Sequence, residues 1–279
     1  MKTRILTALI ALPIIIASIV LPVYFPQTIW LFVAIAAFAL AAGLFEFYSL
    51  TKKLELKADA SVGYLGAAAL FVGFLFDAPA KGPDLLIVTI ALILIALLIS
   101  QTFRFKADFS KMLTGIGVTM LGILYLVFLG GFLVSIRVGF ESFPNLSTHL
   151  LGFFFLVIFG SDSGAYFAGR AFGKHKLAPA ISTGKTVEGL IGGILSAAGF
   201  AALSTLLFFP ELPYKWSIPL ACVLAIIGVL GDLAESAMKR GSKTKDAASI
   251  LPGHGGLLDR LDSLLFGAPI LYYFARFYF

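Results

Sequence analysis

Charge is scarce in this chain. Of its 279 residues only 13% are charged and 59% are hydrophobic, whereas a soluble domain carries about a quarter charged residues. That shortage excludes an ordinary water-soluble fold. Cysteine is almost missing: Cys222 stands alone in an apolar run, so neither a disulfide framework nor a thiolate metal centre can be assembled. Short segments of alternating polarity are absent too, which excludes a membrane β-barrel. No internal repeat is evident, so the inverted-repeat signature of many transporters is missing. The 28 phenylalanines are spread through apolar runs as lipid-facing or interhelical bulk. They form no base-stacking platform, and no nucleic-acid partner is expected.

What the chain does have is length of apolar sequence. Runs of roughly twenty apolar residues recur, each able to cross about 30 Å of hydrocarbon as a helix. The fold class is all-α, a polytopic integral membrane protein with nine expected spans at 5–24, 28–48, 61–77, 84–100, 113–136, 149–168, 187–209, 217–238 and 263–278. The first run follows a basic start but extends to Phe25 without a clear cleavage site, so it reads as a retained helix and not as a secretory signal. Alternating the loops between two sides puts all 21 basic residues except Lys81, Arg137, Lys215 and Arg276 on one side. The positive-inside rule then makes that side the cytoplasm, with the N-terminus inside and the C-terminus outside. The expected organisation is four N-terminal spans in 1–110, then a catalytic region of five spans in 111–279. The latter carries the polar cytoplasmic loops 169–186 and 239–262. The expected location is the inner (cytoplasmic) membrane, with any active site facing the cytoplasm.

Those two loops mix acids, bases, hydroxyls and glycine at close spacing. Asp232, Glu235, Ser236 and Lys239 fall at intervals of three and four, so they share one helical face. Asp259 and Asp262, three apart, share a face at the start of the last span. Unpaired carboxylates at such positions cost several kcal/mol, and two helices presenting four of them suit a hard cation, above all Mg²⁺. The bland reading is interhelical salt bridging, for example Asp232 with Arg260. Between the two faces, Pro252-Gly253-His254-Gly255-Gly256 is a turn whose amides can form an anion nest. There His254 either donates to a phosphate or caps the next helix.

The earlier loop offers Arg170, Lys174, Lys176 and Lys185 as phosphate partners, with Asp162 interrupting one span and Glu188 opening another. Gly184-Lys185-Thr186 invites a P-loop reading. That reading fails, because position 179 is proline where glycine is needed and no strand is expected before it. Gly160/Gly164 and Gly189/Gly193 have the spacing of close helix contacts. Glu46, near the end of span two, is expected at the cytoplasmic headgroups or paired with a lysine of the next loop. A carboxylate-held Mg²⁺ beside several cations at headgroup depth suggests phosphoryl or nucleotidyl transfer to a lipid, chemistry that needs charge neutralisation and positioning.

The run from Ser236 to Asp262, with Met238, Lys239-Arg240, Lys245-Asp246, Ala248, Leu251-Pro252, His254-Gly255-Gly256, Asp259-Arg260 and Asp262, resembles the signature of the phosphatidate cytidylyltransferase (CDP-diacylglycerol synthase) family. Asp162, Ala165-Tyr166, Gly169-Arg170, Gly173-Lys174, Ser182, Lys185-Thr186 and Glu188-Gly189 resemble it as well. Thr183 stands where proline is usual and Val187 where tryptophan is usual. The resemblance covers roughly residues 110–279; the first hundred residues match only as generic spans. It implies transfer of CMP from CTP to phosphatidic acid, a membrane lipid, giving CDP-diacylglycerol and pyrophosphate.

By the same resemblance Asp232 and Asp259 bind the divalent metal, with a monovalent cation such as K⁺ alongside. On physical grounds Glu235 and Asp262 are supporting acids, Glu235 within the metal set, and Asp232, Asp259, Asp262 and Lys239 are assigned to catalysis. Arg170, Ser182, Lys185, Arg240, Lys245, Asp246, His254 and Arg260 are assigned to substrate binding, and a homodimer is the expected assembly. Two other readings compete: a CTP-dependent lipid-alcohol kinase, and an ion-coupled transporter using Asp162, Asp232 and Asp259 as relay sites. The D-x-x-D-G-x-x-A-R pattern of CDP-alcohol phosphotransferases is absent.

Overall fold

The computed structural model describes residues 2–76, 84–104, 110–140, 142–244 and 256–279, without the side chains of 2–8 and 104. Lys245, Asp246 and His254 lie outside the described residues. The chain divides into two compact units, Met1–Phe140 with Ser242–Leu261, and Glu141–Gly241 with Asp262–Phe279. This is a division by packing. The boundary expected at 110/111 separated spans by chemistry.

The first unit contains α1 (Lys2–Val20), α2 (Ile29–Lys53), α3 (Ala60–Phe76), α4 (Asp84–Arg104), α5 (Met112–Gly122) and α6 (Leu129–Gly139). A π-helical stretch, Ile123–Phe128, joins α5 and α6 into one rod. Its core is built by aromatic and aliphatic side chains with no exposure, Phe74, Leu44, Leu70 and Leu126 among them. Asp59, a buried acid just before α3, accepts hydrogen bonds from the Ser100 hydroxyl and from Gln101 Nε2 at 2.8 Å. Its charge is thereby met inside the unit.

The second unit contains α7 (Leu146–Phe172), strands β1 (Lys176–Ala178) and β2 (Ser182–Thr186), α8 (Val187–Leu207) and α9 (Tyr214–Gly241). The last helix, α10 (Leu258–Tyr278), belongs to it from Asp262 onward. Successive helices run antiparallel. Lys185, just before α8, meets Asp232 near the end of α9, while Thr205 near the end of α8 bonds Ser217 near the start of α9 at 3.0 Å. The same holds for α9 and α10, where Gly228 faces Ser263 and Trp216 meets Tyr278. The small-residue spacing works as expected. A Cβ at Gly189 would come within 3.0 Å of the Ala165 carbonyl, and one at Gly193 within 3.1 Å of the Ser161 carbonyl, so α7 and α8 pack nearly backbone to backbone.

Among the described residues, six helices are long and apolar enough to cross a membrane: Pro26–Lys53, Asp84–Phe103, Met112–Gly139, Leu146–Phe172, Val187–Leu207 and Tyr214–Gly241. Leu9–Val23 and Ala60–Phe76 are shorter apolar helices. An all-α polytopic membrane protein is therefore the architecture. The sequence reading lacked the hairpin, where β1 and β2 pair antiparallel with Lys176 opposite Thr186 and Ala178 opposite Ser182. Gly184-Lys185-Thr186 thus lies in an extended strand and not in a phosphate-wrapping loop. Nor does Asp162 break its span, since α7 runs through it to Phe172.

Candidate active site

The antiparallel order of the second unit gathers at one end the last turns of α7 and α9, the hairpin and first turn of α8, and the segment of α10 beginning at Asp262. At 27 and 28 residues, α7 and α9 are each roughly 40 Å long, longer than the hydrocarbon layer. Their acidic residues, Asp162 on α7 and Asp232 and Glu235 on α9, all fall in the C-terminal halves.

On α9 the expected shared face is present. Ser236 Oγ donates to Asp232 Oδ1 at 3.3 Å, and Lys239 Nζ lies 2.6 Å from Glu235 Oε2. Both are one-turn relations. Asp262 joins this face because Gly231 has no side chain. A Cβ there would sit 2.5 Å from the Asp262 carbonyl oxygen and 3.1 Å from Phe266, so any larger residue would separate α9 from α10. The result is one acidic group: carboxylate oxygens of Asp232, Glu235 and Asp262 all lie within 4.8 Å of one another. Glu235 and Asp262 are buried, at 1% and 8% exposure.

The cation paired with Asp232 is Lys185, whose Nζ lies 2.8 Å from Oδ2 and donates to the Val229 carbonyl at 3.3 Å. β2 delivers this lysine, and Thr186, the next residue, caps α8 by accepting the Gly189 N–H at 3.1 Å. Glu188 secures the loop after α7. Its carboxylate accepts the backbone N–H groups of Lys174 at 3.1 Å and His175 at 3.2 Å, and meets the His175 ring at 2.6 Å. Arg240 Nε donates to the Ile181 carbonyl at 3.1 Å, tying the end of α9 to the hairpin turn.

Of the expected site residues, Asp232, Glu235, Asp262, Lys185 and Lys239 therefore converge, with Arg240 linked through the hairpin and Ser182 opening β2. Arg170 is exposed and donates to the Tyr166 hydroxyl at 3.0 Å. Arg260 is exposed in the first turn of α10. Asp259, expected to ligate metal, accepts the Gly256 N–H at 2.9 Å and so caps its own helix. Glu46 corrects its expectation outright. It is fully buried, and its two oxygens accept the N–H groups of Leu257 and Leu258 at 2.9 and 2.7 Å. The sequence did hold a signal for this. A lone acid ends an apolar span, and the last helix begins Gly-Leu-Leu with no hydroxyl or amide side chain to cap it.

The donor set of the acidic group is all oxygen, the kind hard cations take. Lys185 pairs with Asp232 and Lys239 with Glu235, while the buried Asp262 brings a third carboxyl to the same group. Three acids gathered this closely fit a bound cation. The sequence model of the Cytidylyltransferase family matches residues 2–278. The chain belongs to the cytidylyltransferase family. Membership extends through the N-terminal spans, which the motif resemblance had left generic. A phosphatidate cytidylyltransferase of Bacillus subtilis (strain 168) is 35% identical over 282 residues, covering 98% of this chain and 97% of that protein. One from Haemophilus influenzae is 44% identical over 140 residues, 49% of this chain and 48% of the relative. Another, from Staphylococcus haemolyticus, is 46% identical over 125 residues, 44% and 47% of the two chains.

Proposed function

We propose that this chain is a phosphatidate cytidylyltransferase acting at the cytoplasmic membrane, with its site open to the cytoplasm. The observation that carries the reading is the convergence of Asp232, Glu235 and Asp262 beside Lys185 and Lys239. It occurs in a chain aligned almost end to end with a relative of that name. A phosphate oxygen of phosphatidate forms a bond to the α-phosphorus of CTP. The bond from that phosphorus to the α,β-bridging oxygen breaks, and pyrophosphate departs with its electron pair. The attacking oxygen is already anionic near neutral pH, so no strong general base is needed.

Asp232, Glu235 and Asp262 hold Mg²⁺ in this reading, with Asp259 one turn before Asp262 on α10 as a further acid. Bound there, Mg²⁺ supplies charge neutralisation for the triphosphate. Lys185 and Lys239 exchange their carboxylate partners for phosphate oxygens as substrate enters. Arg170, Arg240 and Arg260 add cations at the exposed rim, Ser182 supplies a hydroxyl, and Lys245, Asp246 and His254 complete the substrate contacts by family resemblance. A monovalent cation beside the divalent one, nine membrane crossings with the N-terminus inside, and a homodimer belong to the same proposal.

The test is purified protein with CTP, phosphatidate and Mg²⁺. Label from the α-phosphate is expected in the lipid. Label from the γ-phosphate in the lipid would replace this reading with a lipid kinase.

A further inference from the structure

Every α-helix begins with N–H groups that no turn of its own can satisfy. In α10 the residues at that point are Gly256, Leu257 and Leu258, and none offers a side-chain acceptor. Asp259 turns back to take one donor, the Gly256 N–H. The next two go to a residue more than two hundred positions away: Glu46 Oε1 takes Leu257 and Oε2 takes Leu258. All of these groups belong to one packing unit.

Glu46 has no solvent exposure, and a buried carboxylate is costly unless hydrogen-bonded. Two charge-assisted bonds at the positive end of a helix meet that need. One turn earlier on the same face of α2 is Gly43, where a Cβ would lie 3.2 Å from Leu126 and 3.4 Å from Leu261. Gly43 and Glu46 thus form a seat for the first turn of α10. The helix is continuous from Leu258 to Tyr278, so the turn seated there is the one that leads into Asp259 and Asp262.

We infer that Glu46 is a positioning residue for the cytidylyl-transfer reaction. It acts as a remote cap that fixes the start and rotation of α10, and with them the direction of the α10 carboxylates. This rests on the assignment of Asp262 to the active site. A carboxylate suits the role better than its isosteres. Glutamine keeps one acceptor but turns an NH₂ toward the second N–H, and aspartate is one methylene too short to reach.

The experiment uses the full chain in lipid nanodiscs and compares wild type with Glu46→Ala, Glu46→Gln and Asp262→Asn. Hydrogen exchange at residues 257–262 is measured alongside kcat per folded molecule and the Mg²⁺ concentration for half-maximal turnover. In Glu46→Ala, exchange at 257–262 is expected to accelerate while α7 and α8 stay protected. Turnover is expected to fall about tenfold, the scale of losing a group that orients site residues. Glu46→Gln should fall between Ala and wild type.

Unchanged exchange at 257–262 overturns the inference. So does accelerated exchange with wild-type kcat, because Glu46 would then hold the helix without serving the reaction. The metal assignment fails separately, if Asp262→Asn keeps the wild-type Mg²⁺ midpoint. In that event, accelerated exchange together with reduced kcat in Glu46→Ala still supports the positioning role.

Discussion

Lys239 and Glu235 lie one turn apart on α9, with side chains only 13% and 1% exposed. Lys185 and Asp232 form a partnership between two elements, at 20% and 38% exposure. The two pairs should respond differently to substitution. Removing one member of a buried pair strands the other charge, at roughly 3–5 kcal/mol, while replacing both with apolar residues is often neutral. Glu235→Leu is therefore expected to lower the thermal unfolding midpoint sharply in detergent. Adding Lys239→Met should recover most of that loss without restoring activity. Lys185→Met should cost no more than about 1 kcal/mol, the range of exposed pairs. Its larger effect is expected in the α-labelled CTP assay, because on the proposed function that lysine, beside Asp232, passes to a phosphate of CTP. The shared face of Asp232, Glu235, Ser236 and Lys239 was legible because helical periodicity is local. The seat of Glu46 was not, because its partners lie beyond the reach of any local pattern.

Among the elements, the hairpin was the least readable. Strands of three and five residues with glycine, lysine and threonine show no alternation, and their register shifts between Lys176 and Ala178. They persist because Glu188 anchors the loop at Lys174 and His175, and because Lys176 Nζ donates to the Thr183 carbonyl at 2.7 Å. Glu188→Gln weakens that anchor, so trypsin should cut at Lys174 or Lys176 faster than in wild type, as followed by gel. The contact between α9 and α10 makes a sharper prediction. Gly231→Ala must push on the Asp262 backbone, so the Mg²⁺ midpoint should rise and turnover fall. Gly199→Ala meets nothing within 4 Å. It should leave activity alone and raise helix stability by up to about 1 kcal/mol.

At the scale of the whole molecule, composition alone showed a helical membrane protein, since apolar length needs no knowledge of tertiary contacts. The division into units was less accessible, because residues 256–261 belong with helices made much earlier in the chain. Sidedness is open to direct measurement. In a Cys222→Ala background, Lys52→Cys should react with an impermeant maleimide only from the cytoplasmic side, and Lys215→Cys only from the other. Labelling of both from one side would overturn the topology. The order of synthesis gives the two lysine pairs a second consequence. As the chain emerges, α9 is complete before α10 exists, so Asp232 and Glu235 must enter the bilayer without the third acid. Lys185 has already been made, and Lys239 arrives within one turn of Glu235. Asp232 and Glu235 thus each travel with a counter-ion of their own. Only when the final helix docks does Asp262 complete the three-acid group, so on the proposed function the cation site forms last, in a protein already inserted.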